Sequence, residues 1–454
     1  MRQHPVEQDK IQRRTNFDAV EENLTLEQVK AEASRCLNCK NPRCVKGCPV
    51  NIQIPDFIKA LKEDDLEKAG EVIRETSMLP SVCGRVCPQE RQCEGNCVLG
   101  IKGEAIAIGA LERYVGDNTS AKKAAIVSSG KKVAIVGSGC AGITAAADLR
   151  KAGHDVTIFE ALHKFGGVLR YGIPPFRLPR KVLDREISNL QEMGVKFEKN
   201  VIVGKSITLK QLKEDGFDAI FICSGAGLPK MMNISGENLN GVFSANEFLT
   251  RVNLMLANEE QTPTPLKIGR SVAVIGGGNV AMDAARTAVR VGFENVYIVY
   301  RRTESELPAR LEEIRHAKEE GVNFVFLHAP AEILEQDGYV AGMRFEIMEL
   351  GEPDESGRRS PVGTGRYTDL DVDTVIVALG TGPNPIIQKS ASADGLDFET
   401  DRRGYFVVNE ETRETSIPTI FAGGDVAPVG ASNAINAMGA GKKAAKAINE
   451  FLAK

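Results

Sequence analysis

The sequence lacks most of the features that would announce a simple function. Nowhere do 18 consecutive apolar residues occur, which excludes an apolar helix of membrane-spanning length. The opening run MRQHPVEQDK has no apolar segment of the secretory kind, so the chain is expected in the cytoplasm. Positive charge is not in surplus. The 57 Lys and Arg stand against 61 Asp and Glu, a net of −4, which argues against nucleic acid as a partner. Only five histidines are present, and His4, His154, His163, His316 and His328 show neither metal-ligand spacing nor a G-x-S-x-G partner, so hydrolytic chemistry has no visible constellation.

Cysteine, by contrast, is concentrated. Eight of the ten fall between Cys36 and Cys97, and in a long chain with no export signal this points to metal ligation rather than to a disulfide scaffold. Cys36, Cys39, Cys44 and Cys48 follow C-x2-C-x4-C-x3-C-P. Cys83, Cys87, Cys93 and Cys97 follow C-x3-C-P-x4-C-x3-C. Thiolates this close wrap one face of a cubane without long loops, and in two-cluster ferredoxins the cysteine before proline crosses to the other cluster. Eight cysteines fit two [4Fe-4S] clusters. Structural zinc is the alternative, but its paired C-x2-C units with a longer intervening loop do not match this spacing.

At 454 residues the chain is too long for one core, and two or three domains are expected. Residues 1–125 read as a helical iron–sulfur block, with helical period in DFIKALKEDDLEKAGEVIRET. The polar stretch GDNTSAKKAAIVSSGKK, residues 116–132, reads as a linker. From Val133 onward, short β-branched runs alternate with helical stretches, the pattern of parallel α/β units. The expected division is a discontinuous first unit, 126–255 with 370–454, around a second unit, 256–369. The segment GEPDESGRRSPVGTGRYTDLDV reads as a solvated loop of that second unit.

Two segments repeat one design: VAIVGSGCAGITAAADLRKAGHDVTIFE and VAVIGGGNVAMDAARTAVRVGFENVYIVYRR. In the first, Gly137, Gly139 and Gly142 supply G-x-G-x-x-G between strand and helix, and Glu160 closes the next strand where an acid accepts ribose hydroxyls. In the second, Gly276, Gly278 and Ala281 take those positions, and the strand ends in Arg301 and Arg302. Two cations in place of the acid favour a 2′-phosphate, hence NADPH. Two such sites in one chain suggest a bound FAD on the first and a diffusible nicotinamide on the second, since hydride transfer brings two rings face to face. Cys140 and Cys223, with no C-x-x-C in these units, read as packing residues, and Glu306 in ESELPAR as a loop carboxylate.

The doubled fingerprint, GGVLRYGIPPFRLPR at 166–180 and Gly423-Gly424-Asp425 resemble the two-dinucleotide flavoproteins. That resemblance implies FAD contacts at Gly167, Gly424 and Asp425 and an NADPH contact at Asn279. Gly430-Ala431-Ser432-Asn433-Ala434 departs from the family's usual run after the aspartate, which bears on contacts to the flavin edge. The cysteine block, from EASRCLNCKNPRCVKGCPV through PSVCGRVCPQERQCEGNC to AIGALERYV, resembles the small subunit of NADPH-dependent glutamate synthase. It resembles equally the large subunit of the bifurcating NADH-dependent ferredoxin-NADP oxidoreductase and the N-terminal half of dihydropyrimidine dehydrogenase. The resemblance implies that Cys36, Cys39, Cys44 and Cys97 hold one cluster, and Cys48, Cys87 and Cys93 three corners of the other. Its fourth ligand is then Glu112; spacing alone leaves Cys83 equally open.

On this reading the chain is an electron-input subunit. Its partner is either a glutamate synthase large subunit or, with electron bifurcation, a small FAD and 2Fe–2S protein that binds NADH, toward which the run HPVEQDKIQRRTNFDAVEENLT leans. A zinc-stabilised docking scaffold is the non-enzymatic alternative, opposed by the intact Glu160, Arg301, Arg302 and Asp425.

Overall fold

Both glycine turns sit at the carboxyl end of the central strand of a five-stranded parallel sheet. The computed structural model describes residues 1–121, 126–259, 261–353, 359–428 and 433–454. In the first sheet the spatial order is Ile420–Ala422, Ala219–Ile222, Lys132–Val136, Asp155–Glu160 and Lys196–Lys199, every neighbouring pair parallel. In the second it is Val242–Ser244, Thr374–Val377, Ser271–Ile275, Asn295–Tyr300 and Asn323–Phe326, again all parallel. The central strands are covered on both faces, so they read as continuous apolar runs. In each sheet the strand bearing the glycine turn has its sequence successor on one side and a later strand on the other. A crevice opens at such a switch point, beyond the strand ends.

Three expectations need correction. The unit boundaries at 255/256 and 369/370 fall inside the second unit, because Val375 pairs with Val242 and Thr374 with Val272. The strand Val242–Ser244, the helix Ala245–Asn253 and the strand Thr374–Val377 therefore belong to the second sheet. The polar segment from Gly351 is not a loop. Tyr339–Pro353 and Arg359–Leu370 form an antiparallel pair, from Met343 with Leu370 to Pro353 with Arg359, and His328–Gln336 adds a third strand. Much of this pair faces water, so its residues are polar although its backbone is laddered; residues 354–358 lie outside the described set. Lastly, the linker begins only after Asn118, since the helix Ile108–Asn118 takes in its first three residues.

The N-terminal block is helical, as the sequence implies. Its periodic stretch is two helices, Ile54–Lys62 and Leu66–Arg74, separated where Asp64 takes a left-handed φ of 58° and Asp65 caps the second helix at the Lys68 amide. The block does not pack as a separate body. Leu79, Val82, Leu111 and Val115 share one apolar core with Ile143 and Leu149 of the first glycine helix and with Met438 and Ile448 of the C-terminal helix Ala434–Leu452. Among the described residues no helix is long and apolar enough to cross a membrane.

A buried ionic network locks the second unit to both neighbours. Arg177, from the stretch after the first fingerprint, bonds Asp283 at 2.7 Å and Glu313 at 2.7 Å. Arg286 and Arg290 hold Glu320 at 2.8 and 2.6 Å, and Arg13 of the N-terminal segment reaches the same carboxylate at 3.0 Å. Burial alone would raise the Glu320 pKa, but the bonds from Arg290 and Arg286 hold it down to about 2. The folded-state pKa lies below the unfolded value, so this stabilisation is present above about pH 4.5 and is lost as pH falls toward 2. Acid titration followed by circular dichroism should show unfolding set in across that window. Arg13→Ala removes its pairs with Glu7, Glu319 and Glu320 without stripping Glu320 of its other cations, and should lower the unfolding free energy by at least about 2 kcal/mol in urea.

Candidate functional site

The three glycines of the first turn meet three different constraints. Gly137 has φ +116°, and a Cβ there would lie 2.6 Å from the Cys223 carbonyl. At Gly142 a Cβ would meet the Gly137 carbonyl at 2.1 Å, so the helix Cys140–Lys151 packs directly on the turn. At Gly139 a Cβ would meet nothing within 4 Å. That open space faces the start of a helix whose first turn has no side-chain cap, leaving its amide donors for an anion. Gly167, at φ +52°, closes on the same turn, its Cβ position 3.1 Å from the Gly139 Cα. A cradle that is empty only at the second glycine fits a pyrophosphate.

Glu160 is buried at the end of its strand, accepting from the Ser138 amide at 3.0 Å, from the Ser138 hydroxyl and from the Leu162 amide at 2.9 Å. Its carboxylate thus fixes the turn and keeps further lone pairs for a ribose. Asp425 lies in the short 3-10 turn Gly424–Val426, and Gly424 has φ +70° against Ala141. The Tyr171 hydroxyl is pushed up to about 12, first by burial and then by the charges of Asp425 and Glu160. Asn433 caps the C-terminal helix by accepting from the Asn436 amide at 3.0 Å; the departure from the family run at Gly430, Ala431 and Ser432 lies outside the described residues. Gly139→Ala should leave the apoprotein's thermal midpoint unchanged within a few degrees and lose most bound flavin, read as the ratio of flavin to protein absorbance, because its methyl fills ligand space and touches no protein.

In the second turn Gly276 has φ +143°, its Cβ position 2.5 Å from the Ala378 carbonyl, and Gly278 again faces open space. Ala281 is fully buried, and the helix Asn279–Val291 has no side-chain cap. Asn279 accepts from the Arg310 amide at 2.9 Å, which ties this helix start to the following loop. Arg301 is exposed. Arg302 is buried with its Nε unbonded, and among the described residues neither guanidinium makes an ion pair. An unpaired buried cation is costly until an anion joins it, and a 2′-phosphate is such an anion. Glu306 accepts from the Thr303 amide at 3.0 Å and closes a capping box, a local structural use.

The cysteines gather into two sets. Cys36, Cys39, Cys44 and Cys97 line one half-buried cavity, where burial pushes the Cys44 thiol up to about 11 and Cys97 and Cys36 add to the shift. Cys48, Cys83, Cys87 and Cys93 are buried, and the charge of Glu112 bears on Cys48, Cys87 and Cys93. Burial raises Glu112 to about 8, and its Oε1 has no hydrogen-bond partner. Cys83 bonds Cys87 within the set and also has its sulfur 3.5 Å from Met438 Sδ and 3.8 Å from Ser77 Oγ. Thiol-rich donor sets of this kind suit iron–sulfur clusters. Cys140 and Cys223 are buried and their thiols raised by burial, as packing residues would be.

Some contacts have no counterpart in the sequence pattern. Arg310 donates to the Arg85 carbonyl at 2.8 Å and to Gln89 at 2.6 Å, joining the second unit to the cysteine block. His316, which has no metal-ligand spacing, is brought within 4.8 Å of Glu7, Glu21 and Glu312. Arg113, Arg310 and Arg315 pair with these acids, so the group belongs to the ionic network. Only the N-terminal position of Glu7 and Arg13 in a charge-rich run hints at this.

Two parallel sheets with paired glycine cradles, joined to a block of two cysteine sets, define a two-dinucleotide flavin oxidoreductase with iron–sulfur clusters. Comparison with known proteins agrees. Residues 131–441 match the pyridine nucleotide-disulphide oxidoreductase family, and residues 13–124 match dihydropyrimidine dehydrogenase domain II, 4Fe-4S cluster. The glutamate synthase [NADPH] small chain of Escherichia coli is 36% identical, covering 97% of this chain and 95% of that one. Subunit beta of the NADP(+)-dependent formate dehydrogenase of Moorella thermoacetica is 38% identical over 90% of this chain, which spans 60% of that protein's length. The fold is shared with Mycobacterium tuberculosis FprA in complex with NADPH, at a TM-score of 0.57 and 23% identity, covering 70% of this chain and 85% of that one. The chain belongs to the pyridine nucleotide-disulphide oxidoreductases and, within them, to the family of the glutamate synthase small chain. It is an NADPH-dependent FAD and iron–sulfur oxidoreductase.

Proposed function

We propose that this chain is the electron-input subunit of an NADPH-dependent glutamate synthase, drawing electrons from NADPH and delivering them to a larger subunit. One observation carries the reading: the buried cysteine set touches the flavin unit through Cys83 and Met438 at 3.5 Å, while the other set lies half-exposed at the surface. A path from nucleotide to surface needs that order. Bound in these sites, FAD supplies hydride acceptance and one-electron release, and the clusters supply single-electron transfer.

The chain's own residues bind and orient. Gly276, Gly278, Asn279 and Ala281 seat the nicotinamide dinucleotide, and Arg301 and Arg302 select its 2′-phosphate. Gly137, Gly139, Gly142 and Gly167 seat the FAD pyrophosphate, Glu160 its ribose, and Gly424 with Asp425 its ribityl chain. Cys36, Cys39, Cys44 and Cys97 hold the surface cluster. Cys48, Cys87, Cys93 and Glu112 hold the inner one, since Glu112 offers a buried oxygen, Oε1, with no hydrogen-bond partner among the described residues. No side chain is assigned as acid or base, because hydride transfer from NADPH needs none.

The test is anaerobic affinity purification of the tagged chain from its native cells, with the co-purifying subunit identified by mass and cofactor. A large FMN-containing amidotransferase supports the reading. A small FAD and 2Fe–2S protein that binds NADH would replace it with the bifurcating oxidoreductase.

A further inference from the structure

The surface cysteine set has a distinctive rim. Leu37, between Cys36 and Cys39, is 62% exposed, and Ile101, at the end of the short 3-10 turn after Cys97, is 67% exposed. The same two segments carry Lys40, Arg43, Lys46 and Lys102, all exposed. Among the described residues none of these four cations makes an ion pair. The stretch from Cys36 to Cys48 contains no acid at all. Glu104, two residues beyond Lys102, turns its carboxylate to the Arg2 amide at 3.0 Å, and Asp64 pairs with Lys30 at 2.6 Å. Four cations without a described ion pair, in the two segments that carry this cysteine set, form a local positive field in a chain whose formal net charge is −4.

We infer that this face docks the electron-accepting subunit, and that the docking surface of that subunit is acidic around an apolar centre. The inference rests on the reading of the chain as an electron-input subunit. Exposed Leu37 lines the cysteine cavity and exposed Ile101 ends the turn that follows Cys97, so both supply apolar contact beside the surface set, and the cations supply orientation and speed of encounter. An apolar centre with a charged rim is the ordinary anatomy of a protein interface. A nucleic acid or lipid surface would answer the charge but would accept no electrons. The occupant is therefore a protein with a redox group close to its acidic face.

The test uses the full holoprotein, tagged and purified anaerobically from its native cells with its partner, and cross-linked with a zero-length carbodiimide that joins lysine to carboxylate. Expected are cross-links from Lys40, Lys46 or Lys102 to Asp or Glu of a flavin or iron–sulfur subunit. The fourfold variant Lys40→Glu, Arg43→Glu, Lys46→Glu and Lys102→Glu should bind that subunit at least tenfold more weakly. Its iron content and its NADPH-driven reduction of a small neutral quinone should stay within twofold of the parent. Unchanged partner affinity in the variant, or cross-links confined to other lysines, would overturn the docking face while leaving the electron-input reading intact. If the parent chain brings down no electron-accepting subunit, that reading fails, and the docking face with it.

Discussion

Replacing Arg301 and Arg302 together by alanine should raise the KM for NADPH about 100-fold, with kcat little changed and NADH used as before. Each guanidinium can give a charge-assisted bond to the 2′-phosphate worth about 1.5–3 kcal/mol, and every 1.4 kcal/mol is about tenfold in affinity. The two do not contribute equally. Arg302 is buried with an unbonded Nε, so its bond forms away from water, whereas Arg301 is exposed and its attraction is screened. Single substitutions should therefore rank with Arg302→Ala the more severe. Steady-state kinetics with both nucleotides decide the matter. If NADPH and NADH lose equally, the pair serves the fold and not the phosphate.

The second large effect concerns iron. Glu112→Ala should lower bound iron from about eight to about four per chain, whereas Cys83→Ala should keep about eight, the content of two four-iron clusters. Both residues face Cys48 and Cys87, but their surroundings differ. Glu112 is buried with Oε1 unbonded, a state that is costly unless a cation accepts the charge. Cys83 has sulfur and hydroxyl neighbours in Met438 and Ser77 and leaves no polar atom unsatisfied. Glu112→Gln keeps an oxygen donor and should retain the metal. Iron analysis with low-temperature electron paramagnetic resonance on the three variants reads the result, and the opposite pattern for Glu112 and Cys83 would assign the ligand to sulfur.

Much of the fold and of the site is legible in the sequence, for a physical reason. Glycine turns of positive φ and close helix packing leave a strict local signature, and Gly137, Gly142 and Gly276 sit where that signature requires. Cysteine spacing is local too, so the two sets stand out along the chain. What the sequence hides depends on distant partners. Val242–Ser244 belongs to the second sheet only because it pairs with Thr374–Val377, about 130 residues on. The antiparallel pair near Gly351 has the composition of a loop because a strand with one face in water need not look apolar. Arg310 looks like any surface arginine until Arg85 and Gln89 are placed beside it. The cations of KNPRCVK are plain in the sequence, but their lack of counter-ions is not.

The strand order also bears on how the chain is made. Ala219–Ile222 has Ile420–Ala422 as its outer neighbour, so about 200 residues leave the ribosome between the two. At ordinary synthesis rates that interval lasts roughly 10–40 s, during which the second sheet can close on itself while the first keeps an open edge. Gly424 and Asp425 emerge only at the end of it. The apolar core under the cysteine block waits for Met438 and Ile448 as well. FAD loading thus waits for Gly424 and Asp425, and the helix Ala434–Leu452 closes a core that the cysteine block begins roughly 300 residues earlier.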